Sequence, residues 1–79
     1  MNTGRLSVVS TDEVIRAFEH LGFSVIKKRG KGSHVVMASE SHAAILTIPR
    51  RRELRRGTLR KLIRDAGIDV GTFCDLLSR

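Results

Sequence analysis

At 79 residues the chain is long enough for one domain and no more, since soluble domains run to roughly 100–200 residues, and it hides only about 60% of the surface its unfolded form exposes. A hydrophobic content of 41% excludes a disordered chain, and 29% charged residues, with no uncharged stretch longer than positions 41–49, exclude a span of roughly 20 apolar residues. The formal net charge is +7, and the single cysteine, Cys74, excludes an internal disulfide framework and a multi-cysteine zinc site.

Residues 1–9 carry no strong structural signal and are expected to form a flexible leader, with one domain over residues 10–79. Ser10 opens a capping box with Glu13, and Val9 and Val14 stand in hydrophobic-staple positions. Val14, Ile15, Phe18 and Leu21 follow with the spacing of one helical face, and Gly22 supplies a left-handed stop, so the first helix is expected over 11–21. Three β-rich runs come next, at 23–28, 34–38 and 43–48. Their connections, 29–33 and 39–42, are too short for parallel crossovers and require an antiparallel meander. Pro49 ends the third strand, and the arginine-rich run at 50–56 has too little apolar content for a core element. A second helix is expected to start at Gly57 and Thr58, to present Leu59, Leu62, Ile63 and Ala66 on one face and to stop at Gly67. Asp69 caps a short last helix in which Phe73, Leu76 and Leu77 point inward. The expected class is α+β, in the order α-β-β-β-α-α, with the helices on one face of a three-stranded antiparallel sheet and the other face open.

Charge is concentrated in the middle of the chain. Residues 27–64 hold twelve of the fifteen Lys and Arg residues against Glu40 and Glu53 alone. A self-repelling cluster of this kind suits a polyanionic partner. With Phe as the only aromatic type, three in all, there is no platform for stacking single-stranded bases, and backbone phosphate has to supply the affinity. His34 stands out among the three histidines because it follows Lys31, Gly32 and Ser33 and lies near Lys27, Lys28 and Arg29. Imidazole titrates near neutral pH and can move the proton of a ribose 2′-hydroxyl as that oxygen attacks the neighbouring phosphate. His20, near a helix end, and His42, in a turn, read as surface residues. A second anion site is the start of the second helix, where Arg55, Arg56, Arg60 and Lys61 surround the main-chain N–H groups near Thr58. The basic middle offers too few carboxylates for a two-metal nuclease, and Cys74, one position past Phe73, reads as a space-filling residue. Adjacent residues on a strand face opposite ways, which argues against Ser33 as a nucleophile served by His34. No metal and no cofactor are expected. Nor is a secretory leader, so the expected location is the cytoplasm.

Several segments together resemble the HicA toxins: Leu21-Gly22-Phe23, Lys31-Gly32-Ser33-His34, Ile48-Pro49, and the run from Gly57-Thr58-Leu59-Arg60-Lys61 to Gly67-Ile68. The resemblance extends over about residues 10–78. It implies a double-stranded-RNA-binding-domain-like fold, metal-independent cleavage of messenger RNA, and a HicB antitoxin that binds and suppresses the toxin. The family's catalytic histidine falls on His34, with Lys28, Lys31, Gly32, Ser33, Arg55, Arg56, Thr58, Arg60 and Lys61 as candidate RNA-phosphate ligands. Two other functions fit the residues: a duplex-RNA-binding module without catalysis, and a basic face that docks an acidic protein.

Overall fold

The computed structural model describes residues 9–29 and 34–79, and for residues 27–29 the main chain alone, so residues 1–8 of the expected leader lie outside the described residues, while Val9, expected in that leader, is instead buried in the core. Six elements follow in the order α1 (Thr11–Leu21), β1 (Ser24–Arg29), β2 (His34–Ala38), β3 (Ile45–Pro49), α2 (Arg56–Asp65) and α3 (Val70–Leu77). The strands form one antiparallel sheet in the order β1-β2-β3. This is the α+β, double-stranded-RNA-binding-domain-like arrangement expected from the sequence.

Local chemistry sets α1. Glu13 N–H donates to Ser10 Oγ at 3.3 Å while Ser10 N–H donates to Glu13 Oε1 at 2.9 Å, a complete capping box. At the other end Gly22 takes φ +112°, a left-handed conformation that glycine adopts without the Cβ clash other residues suffer. The helix buries Val14, Ala17 and Phe18. Phe18 meets Phe23 edge-on at 5.8 Å between ring centroids and Phe73 of α3 at 5.3 Å, so three aromatic rings tie α1, the entry to β1 and α3 together.

On the sheet, Val35, Met37, Leu46 and Ile48 are fully buried and pair across the strands as Val35 with Ile48 and Met37 with Leu46. The alternate pairs, His34 with Pro49, Val36 with Thr47 and Ala38 with Ile45, belong to the opposite face and are exposed or half-buried. Strand pleating accounts for this division, because successive residues point to opposite sides. Helices therefore cover one face, and the other stays open.

Several boundaries depart from the sequence expectation: β1 runs one residue past the expected end at 28, and β3 opens at Ile45 instead of at 43. Phe23 precedes β1 instead of opening it and is buried at 2% exposure. Pro49 is the last residue of β3 rather than its terminator, which an edge strand permits because no ladder partner on its outer side needs the missing N–H. Most consequential, α2 begins at Arg56 with Arg55 as its N-cap, one residue ahead of the expected start at Gly57 and Thr58, so Thr58 is the third helical residue. The cause is Leu54, which lies in the arginine run yet is buried at 4% exposure and bridges to Val9, its N–H donating to Val9 C=O at 2.7 Å. That anchor fixes the chain two residues before the helix starts, next to the N-cap Arg55.

Thr11 forms a second anchor. It is 4% exposed, and its hydroxyl donates to Pro49 C=O at 2.6 Å and accepts from Arg51 N–H at 2.8 Å. Its own N–H donates to Arg51 C=O at 3.1 Å. The start of α1 is thereby joined to the chain leaving β3.

Candidate nucleic-acid interface

His34 is the first residue of β2, on the strand at the centre of the sheet. Val35, Val36 and Met37 are all apolar and leave its face undecided in the sequence. Burial of Val35 and Met37 against the helices puts His34 on the open face, where it is exposed.

A β-bulge shapes its surroundings. Between Val25 and Lys27 the pairing of β1 with β2 shifts by one residue, so Lys27 stands opposite Val36, Lys28 opposite Val35 and Arg29 opposite His34. Without the shift Lys28 would be the cross-strand partner of His34. Arg29, absent from the ligands expected on sequence grounds, takes that register position. No sequence signal distinguishes it, since three consecutive basic residues look alike in any register. The side chain of Lys28, and Lys31, Gly32 and Ser33 altogether, lie outside the described residues.

At the second expected anion site, Arg55, Arg56, Arg60 and Lys61 are exposed and Thr58 is half-buried. Arg55 makes no side-chain capping hydrogen bond, and the first turn of α2 carries no acidic residue. Helices ordinarily place carboxylates at this positive end of the macrodipole. Here two guanidiniums stand there instead, an arrangement that a bound anion relieves. Lys61 is also engaged within the helix, its Nζ lying 3.1 Å from Asp65 Oδ2. An exposed pair at this spacing is worth about 0.3–0.5 kcal/mol, little enough for a phosphate to compete.

The other histidines lie elsewhere. His20 is exposed in the last turn of α1. His42 follows β2 at the end of the sheet remote from His34, and it is more than the plain surface residue expected: half-buried, it stacks on Phe23 at 4.9 Å and its Nδ1 lies 3.1 Å from Ser39 Oγ. Cys74 is half-buried and packs against the core, in keeping with a space-filling role. Among the described residues no three His, Cys, Asp or Glu side chains gather into a metal-binding group, and no helix is long and apolar enough to cross a membrane.

No curated protein and no solved structure matches this chain. The family model for the HicA toxin of bacterial toxin–antitoxin systems does, over residues 11–68, the stretch that contains α1, the whole sheet and α2. With that match across well over half its length, the chain belongs to the HicA family of toxins.

Proposed function

We propose that this toxin is a metal-independent endoribonuclease acting on messenger RNA, with His34 as the catalytic residue. The observation that supports it best is the position of His34: exposed on the open sheet face, opposite Arg29, and at the end of the sheet where the chain enters its arginine run. In the reaction, His34 takes the proton of a ribose 2′-hydroxyl and O2′ attacks the adjacent phosphorus. The P–O5′ bond breaks, and O5′ leaves with a proton delivered by imidazolium or water. The products are a 2′,3′-cyclic phosphate and a 5′-hydroxyl. Lys28, Arg29 and Lys31 offset the charge that builds on the phosphoryl oxygens, with Gly32 and Ser33 in the same segment. Arg55, Arg56, Thr58, Arg60 and Lys61 hold phosphates farther along the strand. His42 and His20 stand away from this end of the sheet, so one imidazole serves the proton transfers and the enzyme is slow.

Membership in a toxin family brings an antitoxin partner, and a HicB-like protein with an acidic surface would silence the toxin by covering the basic face. The α-β-β-β-α order and the basic helix start also suit a non-catalytic duplex-RNA-binding module. Incubating the purified chain with RNA in EDTA separates the two. Fragments ending in 2′,3′-cyclic phosphate support the nuclease, whereas salt-sensitive binding that leaves the RNA intact supports the module.

A further inference from the structure

We propose that Arg50, Arg51 and Arg52 form a phosphate-binding strap beside His34, held in place by Thr11 as a positioning residue. The inference rests on the RNA reading above and adds a site to it.

Proximity is the first argument. Pro49 is the cross-strand partner of His34, and Arg50 is the next residue. A cross-strand Cα pair is at most about 5.5 Å apart and a peptide step about 3.8 Å, so the Arg50 Cα lies within about 9 Å of the His34 Cα. Rigidity is the second. Thr11 holds Pro49 C=O and Arg51 N–H through its hydroxyl and Arg51 C=O through its own N–H, while Leu54 N–H is tied to Val9 C=O. Main chain is thus pinned at both ends of the segment while the three arginine side chains remain exposed. Charge is the third. Among the described residues the only ion pair is Lys61 with Asp65, so none of these guanidiniums has a carboxylate within 4.0 Å, Glu53 included. Three adjacent cations on an immobilised backbone repel one another and add nothing to the core. A phosphodiester passing over His34 supplies the missing counter-charge, and a pinned backbone lowers the ordering cost of binding it.

The clamp touches only the main chain of Arg51, so the side chains can be replaced without disturbing it. Binding of a fluorescein-labelled RNA hairpin is measured by anisotropy across a sodium chloride series, in a chain carrying His34→Ala so that no cleavage intervenes. Replacing Arg50, Arg51 and Arg52 together by Ser is expected to lower the slope of log K against log salt by about 2, at roughly 0.7–0.9 for each phosphate no longer neutralised. Replacing Arg16, Arg64 and Arg79 by Ser removes the same charge from elsewhere on the surface and is expected to keep the slope. Thr11→Val is expected to lose part of the slope and Thr11→Ser to retain it; should Thr11→Val not fold, the two triple variants and Thr11→Ser carry the test. An equal drop in slope for the two triple variants overturns the strap and leaves RNA binding standing. No salt-dependent binding by the His34→Ala chain itself overturns the RNA reading and the strap with it.

Discussion

Thr11→Val is the sharpest test of how the fold holds the basic segment. The two side chains have nearly the same shape, so packing in this buried position is kept and the change isolates the hydroxyl. Its loss leaves Pro49 C=O without the 2.6 Å donor and Arg51 N–H without the 2.8 Å acceptor. Each stranded group costs about 1–3 kcal/mol, and because the exposed Arg51 segment admits some water, we expect about 2–4 kcal/mol in total. A domain of 79 residues has about 4–12 kcal/mol to lose. At 4–8 °C for each kcal/mol in a domain this small, the thermal midpoint should fall by about 10 °C or more. Thr11→Ser keeps both hydrogen bonds and gives up one methyl group, about 1 kcal/mol. Urea unfolding followed by far-ultraviolet circular dichroism, in the His34→Ala background, gives the three stabilities. The order should be Thr, then Ser, then Val. A Val variant within about 0.5 kcal/mol of the parent, or a Ser variant weaker than the Val one, would refute the clamp.

Phe18→Ala removes a fully buried ring and both of its aromatic partners, Phe23 and Phe73. It should cost about 3–5 kcal/mol, and a urea midpoint close to the parent's would show that the three-ring junction is not the centre of the core. The hydrogen bond from Thr72 N–H, at 2.7 Å, holds the Asp69 carboxyl below the usual aspartate value. Because the folded value is depressed, this cap's contribution is complete above the unfolded value near 3.9 and is lost as pH falls through the folded one. Urea midpoints of the parent and Asp69→Ala should therefore differ at pH 6 and converge at low pH; a constant gap would contradict the assignment. His42→Ala should cost about 0.5–1.5 kcal/mol by removing the stack on Phe23, while RNA cleavage persists. Abolished cleavage in a folded His42→Ala chain would mean that the proposed site lacks a member.

How much of this was legible in the sequence differs from element to element. For α1 the capping box, the apolar spacing and the glycine stop agree, and both ends fall where the sequence puts them. Asp69 likewise caps α3 as expected. At α2 the local pattern puts the start at Gly57 and Thr58, but the helix opens at Arg56, beside the pairing of Leu54 with Val9, 45 positions away. The face occupied by His34 could not be read from Val35-Val36-Met37, where period-2 alternation is silent, and packing decided it. The bulge in β1 was equally hidden, because Lys27, Lys28 and Arg29 carry the same charge whichever of them stands opposite His34. Nothing in the sequence distinguishes Thr11 from an ordinary first-turn residue. Its partners, Pro49 and Arg51, are 38 and 40 residues away, beyond the reach of any local pattern.

The central claim is that one exposed imidazole moves the proton that starts RNA cleavage. Single-turnover cleavage of a labelled RNA in EDTA, comparing the parent chain with a His34→Ala chain shown by circular dichroism to be folded and by anisotropy to bind RNA, tests it directly. We expect the variant to bind normally and to cleave about 10²–10⁴-fold more slowly. Equal rates for the two chains would contradict the account.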